Sequence, residues 1–166
     1  MKGGDVNYRI FDRPGFIVAG RNRQFTTKSG LNFKQIPLWW DEFVNSQDCE
    51  ELTVLSGNLP GAMTGGVMLG VDFGSPDVEE FSYAIGVELH EGISSGTFRK
   101  IDIPPATWTA FECALDDIQA TYKHIFSEWL PSSGYKHDAG PHIEVYLPER
   151  PRQKMKCELW VPVIKE

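Results

Sequence analysis

The chain has 166 residues, 41% of them apolar and 23% charged, with a formal net charge of −7. That length and composition describe one globular domain. The acidic balance, without a Lys/Arg cluster, argues against duplex DNA, whose phosphates are bound by cations, and no apolar run approaches the roughly 20 residues of a membrane span. The opening MKGGDVNYRIFDR lacks the apolar stretch of a secretion signal, so a cytoplasmic location is the default expectation. Three cysteines, Cys49, Cys113 and Cys157, are odd in number and lack metal-ligand spacing, so no disulfide framework is expected.

In chain order, residues 7–25 (NYRIFDRPGFIVAGRNRQF) read as a long interrupted strand or a hairpin-like pair, with Pro14-Gly15 as turn or kink. Residues 33–44 (FKQIPLWWDEFV) read as a helix, with Asn32 and Gln35 placed like a capping box and Pro37 suited to a first turn. Trp39 and Trp40 cannot both face one core, so one is expected to be exposed or to reach a pocket rim. Residues 45–66 read as loop; GAMTGGVMLG lacks the Lys-Ser/Thr ending of a phosphate-binding loop. VMLGVDFG (67–74) and FSYAIGVEL (81–89) alternate around GSPDVEE and predict an antiparallel hairpin.

The order then repeats. TFRKIDIPPATWTAFEC (97–113) reads as a long strand broken by a proline pair. Residues 114–130 carry a helical stripe of Leu115, Ile118, Tyr122, Ile125, Phe126 and Trp129, with Asp116 and Asp117 in the first turn and Pro131 and Gly134 as stops. HIEVYLP (142–148) and CELWVPVIK (157–165) predict a second hairpin. Strand, helix, strand, strand, twice over, predicts one α+β domain built from two similar halves, about 6–91 and 96–166. The expected architecture is a curved antiparallel sheet with two helices on one face and the other face concave and open.

Alternation within 142–147 separates Ile143, Val145 and Leu147 from His142, Glu144 and Tyr146. The apolar set is expected under the helices, which points Glu144 and Tyr146 away from them. A carboxylate among aromatics suits a cationic ligand, or acid–base chemistry if its pKa is raised. Glu88, above the small residues Ala84 and Gly86, is a second candidate, and Met68 lies on the alternate face of its strand with Gly70 and Asp72. Trp108, Trp160 and Trp40 are candidate aromatic walls. His137, Asp138 and His142 read as a solvated turn rather than a metal site, and no cofactor is expected.

The stretches RPGFIVAG, IPLWWDEF, YAIGVEL, EWLPSSGYKHDAGPHIEVYLPE and CELWVPVIK, in this order, resemble the GyrI-like small-molecule-binding domain, also the effector-binding domain of AraC- and MerR-type regulators. The resemblance implies a duplicated strand-helix-strand-strand fold and an aromatic pocket on the concave side of the sheet, with an acidic residue that falls on Glu144. It implies binding of a bulky, largely apolar small molecule, neutral or cationic, in an aromatic pocket with an acidic anchor. A hydrolase opening cyclopropane rings of DNA-alkylating natural products, with Glu144 and Tyr146 as catalytic groups, is the alternative. Inhibition of a protein partner such as a DNA topoisomerase is the third. Residues 1–6 are too few for a DNA-reading helix-turn-helix, so a stand-alone family member is expected.

Overall fold

The computed structural model describes residues 7–57, 67–75, 77–147 and 156–166. The first six residues, the glycine-rich stretch 58–66, Pro76 and residues 148–155, where the second half of the expected 45–66 loop and the end of the 142–148 strand fall, lie outside it. Nine strands are described: β1 (Tyr8–Arg13), β2 (Phe16–Thr26), β3 (Leu69–Asp72), β4 (Glu80–Leu89), β5 (Arg99–Ile103), β6 (Ala106–Ala114), β7 (Tyr135–His137), β8 (His142–Tyr146) and β9 (Lys156–Lys165). All pair antiparallel, in the order β1-β6-β9-β8-β3-β4-β2-β5, with β7 beside β9. The molecule is α+β with a large antiparallel sheet, as its sequence pattern predicts.

The two ends of that order are joined. β1 and β2 are separated only by Pro14-Gly15, and β5 and β6 only by Pro104-Pro105. The pairing of Tyr8 with Phe111 runs in unbroken register through Arg13 with Ala106 and Phe16 with Ile103 to Gly20 with Arg99. The strand pairs are thus one long ladder, bent where proline removes amide donors, and the sheet curls back on itself. Its enclosed side is filled by Phe16, Val18, Leu69, Trp108, Ile143 and Trp160 among others, in a cluster to which every strand but β7 contributes and no helix does.

The helices pack on the outer side. Helix α1 (Leu31–Val44) and α2 (Gln47–Ser56) cover β2 and β4 through Trp39, Phe43 and Leu52. Helix α3 (Ile118–His124) continues through a wide π turn (Ile125–Trp129) into α4 (Leu130–Ser133) and covers β6 and β9 through Ile125 and Leu130. Three expectations fail here. Pro37 lies inside α1 and not in its first turn. The cap of α1 is Gly30 at φ 68° with no side-chain hydrogen bond, not an Asn32 box. The start of the supposed loop is helix α2, capped by Ser46, whose hydroxyl accepts from the Cys49 amide, and closed by Gly57 at φ 70°.

Candidate functional site

Between the two helical layers β3 and β8 pair side by side, and above them opens a cavity of about 430 Å³. Asp72, Tyr83, Glu144 and Tyr146 form its floor. Helix α1 supplies one wall with Asn32, Phe33, Ile36, Pro37, Trp40 and Asp41. The other wall comes from Leu115, Asp116, Ile118, Gln119 and Tyr122.

Glu144 lies at the centre, 6% exposed. Its position follows from register. Glu144 on β8 pairs with Gly70 on β3, and β3 pairs in turn with β4, which carries Tyr83. Because Gly70 has no side chain, Tyr83 reaches across it to donate to Glu144 Oε1 at 2.5 Å. Tyr146, two residues along β8, donates to the same oxygen at 2.8 Å, and Tyr122 on α3 donates to Oε2 at 3.2 Å. The Tyr83 hydroxyl itself accepts from Trp40 Nε1 at 2.9 Å, so a donor chain runs from α1 to the carboxylate. Trp40 also packs against Tyr146, ring centres 4.5 Å apart.

These contacts set the electrostatics. Burial raises the Glu144 carboxyl above its ordinary pKa, and the three phenolic donors pull it back without cancelling the rise. Burial and the nearby Glu144 charge push the Tyr83 and Tyr122 phenols well above their ordinary range, and Tyr146 likewise, so all three remain donors. Three hydrogen bonds to a charged acceptor contribute about 1.5–3 kcal/mol each, comparable to the several kcal/mol that burying an ion costs. Among the described residues no cationic side chain pairs with Glu144. Oε2 has accepted one bond and can accept another.

The structure reverses the expected facing of β8. Ile143, Val145 and Leu147 pack on the enclosed side, which has no helix, while Glu144 and Tyr146 point up between the helices. The cavity is therefore not on the concave side away from the helices, because that side is already filled with apolar side chains. Both faces of this sheet are buried, and alternation distinguishes one from the other without saying which the helices cover. The same reversal removes three candidates. Trp108 and Trp160, each 1% exposed, lie in the enclosed cluster, with ring centres 5.9 Å apart. Glu88 is buried on that side too, where its charge acts on Arg13. Its supposed small-residue floor is no gap, since a Cβ on Gly86 would lie 2.8 Å from Val18 Cγ1. Met68 packs with the α1–α2 layer outside the cavity lining.

Glu144, Tyr146 and Trp40 are brought together, with Trp39 in the core beneath. Tyr83, Tyr122 and Asp72 join them without having been singled out. His137 and His142 are not a solvated turn: His142 is buried, its Nε2 lies 3.0 Å from Nε2 of His137, and Phe126 packs on both rings. Burial lowers the His142 pKa to about 3, helped by His137. Among the described residues no group of three or more metal-ligating side chains forms, and no helix is long and apolar enough to cross a membrane.

No curated protein matches the sequence. Similar folds are found in a structure of SAV2435 bound to tetraphenylphosphonium (18% identity, TM-score 0.74, 95% of this chain and 94% of that one) and in an integron cassette protein from Vibrio cholerae (13%, 0.62, 95% and 95%). A hydrolase from Listeria innocua is more distant (10%, 0.52, 95% and 91%). The profile of Cass2, the integron-associated effector-binding protein, matches residues 9–163. Nearly the whole chain lies within that match, and the protein belongs to the Cass2 family of integron-associated effector-binding proteins.

Proposed function

We propose that the protein binds bulky, largely apolar, cationic small molecules in the cavity between α1 and α3, with Glu144 as the charge anchor. The observation that carries this reading is a carboxylate sealed among three phenols, with no cation of its own among the described residues and one acceptor position left. Desolvation strengthens its attraction for a cation, and the Trp40, Tyr122 and Tyr146 rings offer faces that attract cations as well. A fold relative that holds tetraphenylphosphonium supports the size and charge class.

Calorimetry with tetraphenylphosphonium and the neutral triphenylphosphine oxide tests it. Glu144→Gln should weaken the cation about ten- to a hundredfold and leave the neutral compound nearly unchanged. Equal loss for both compounds, or none for either, would overturn the assignment.

Hydrolysis of a strained-ring substrate is the second reading, supported by the raised Glu144 carboxyl, which suits a proton-transfer role. It requires that Glu144→Gln keep binding of a neutral cyclopropane-bearing alkylator while turnover falls about a hundredfold or more.

A further inference from the structure

The anchor uses one carboxylate, and the cavity floor holds a second. Asp72 stands on β3 two residues beyond Gly70, the partner of Glu144, which makes Asp72 and Glu144 diagonal neighbours across the β3–β8 pair. Diagonal positions lie about 7–8 Å apart along the backbone. Asp72 Oδ1 accepts from the Gly74 amide at 2.7 Å. No further hydrogen bond and no ion pair reaches Asp72 among the described residues.

The titratable groups that face Asp72 offer no positive charge. On β8 they are His142, its register partner, held neutral by burial, and Glu144. On β4 it is Tyr83, and on α3 Tyr122. The walls add Asp41 and Asp116. The floor therefore holds two carboxylates, at separated points, with no cation paired to either among the described residues.

We propose that Asp72 is a second charge-reading position, and that among aromatic cations the cavity favours a dication with N–H donors, one cationic group at Glu144 and the other at Asp72. The proposal rests on the cation-binding reading above and extends it. A single diffuse cation meets one carboxylate and leaves the other desolvated and unpaired. A diamine meets both, and its N–H groups supply the missing donors. Burial and the Glu144 charge raise Asp72 to about 7, so the second position is charged just above neutrality and neutral in mild acid.

The probes are p-xylylenediamine, whose ammonium groups sit at opposite ends of one ring, and 4-methylbenzylamine, its monocationic counterpart, with tetraphenylphosphonium as reference. Calorimetry on the full chain at about pH 8 should show the diamine binding about tenfold tighter or better than the monoamine. Asp72→Asn keeps the shape and the Gly74 contact. It should erase that margin while leaving monoamine and tetraphenylphosphonium affinities within about twofold. On the unaltered protein, lowering the pH to about 5.5 should erase the margin too, which tests the idea even if the variant fails to fold. If tetraphenylphosphonium binds but the diamine shows no margin, or if Asp72→Asn weakens both amines alike, the second position is wrong and the single anchor stands. If no cation binds at all, both readings fall.

Discussion

Gly70 and Glu144 are opposite each other on adjacent strands, and only one of them can carry a side chain. A Cβ on Gly70 would lie 2.7 Å from Glu144 Oε1 and overlap the Tyr83 hydroxyl. Gly70→Ala should therefore part Tyr83 from Glu144 and destabilise the fold by about 1–3 kcal/mol, an overpacking cost readable in denaturant unfolding. Tyr83→Phe removes a donor from the carboxylate and an acceptor from Trp40. It should raise the pH at which Glu144 ionises, and so shift the cation-binding pH profile upward. Asp72 gives a sign that can be worked out. Its folded pKa of about 7 lies above the unfolded value of 3.8, so the folded state holds a proton the unfolded state has lost. Stability from this group then falls as pH rises from about 4 to about 7, by a few kcal/mol. His142 works the other way, losing stability as pH drops below 6.5 toward 3. The gain in melting temperature from Asp72→Asn should accordingly open above about pH 4 and level off above about pH 7; a gain that shrinks with rising pH would contradict the burial of that carboxyl. Glu144 and Tyr146 were legible because polar groups interrupted an apolar alternation. Tyr83 and Tyr122 were not, since a tyrosine within an apolar stripe looks like core until its hydroxyl is placed.

At the level of elements, α1 is both wall and weak point. Pro37 lies inside it and removes the amide that would bond the Phe33 carbonyl, and both residues line the cavity. An interior proline costs a helix up to about 3 kcal/mol, so Pro37→Ala should stabilise the protein by about 1–3 kcal/mol in denaturant unfolding. A loss instead would mean that the proline ring's packing on the cavity outweighs the missing hydrogen bond. The long alternating strands and the helix at 114–130 were readable from periodicity. Helix α2 was not, although its caps stand in the sequence: Ser46 and Gly57 bracket a segment whose core-facing positions, Cys49, Leu52 and Leu55, are blurred by an exposed Val54 and show no clear stripe. The π turn at Ile125–Trp129 was not readable either: its wider turn brings Leu130, five residues after Ile125, onto the sheet, a position outside the stripe that a 3.6-residue period draws.

The α+β class and the antiparallel sheet were evident from element order. Closure of the sheet was not, because it depends on a register between residues about a hundred positions apart. That closure splits the work between distant segments. The first arm of the bent ladder comes from residues 8–20 and the second from 99–111. Cutting the chain in the exposed turn between Gly92 and Gly96, both at positive φ, should give two fragments that are unfolded apart and regain β-sheet circular dichroism when mixed. Independent folding of either fragment would refute the mutual dependence of the arms. The same geometry places the cavity across the β3–β8 seam, with Tyr83 and Trp40 from one side of it and Glu144 and Tyr122 from the other. A molecule seated there is a stitch through the seam. Its presence at a hundred times its dissociation constant would add about 2.7 kcal/mol of resistance to unfolding. Melting the protein in a panel of amines and lipophilic cations would then rank its ligands by how firmly each one sews the halves shut.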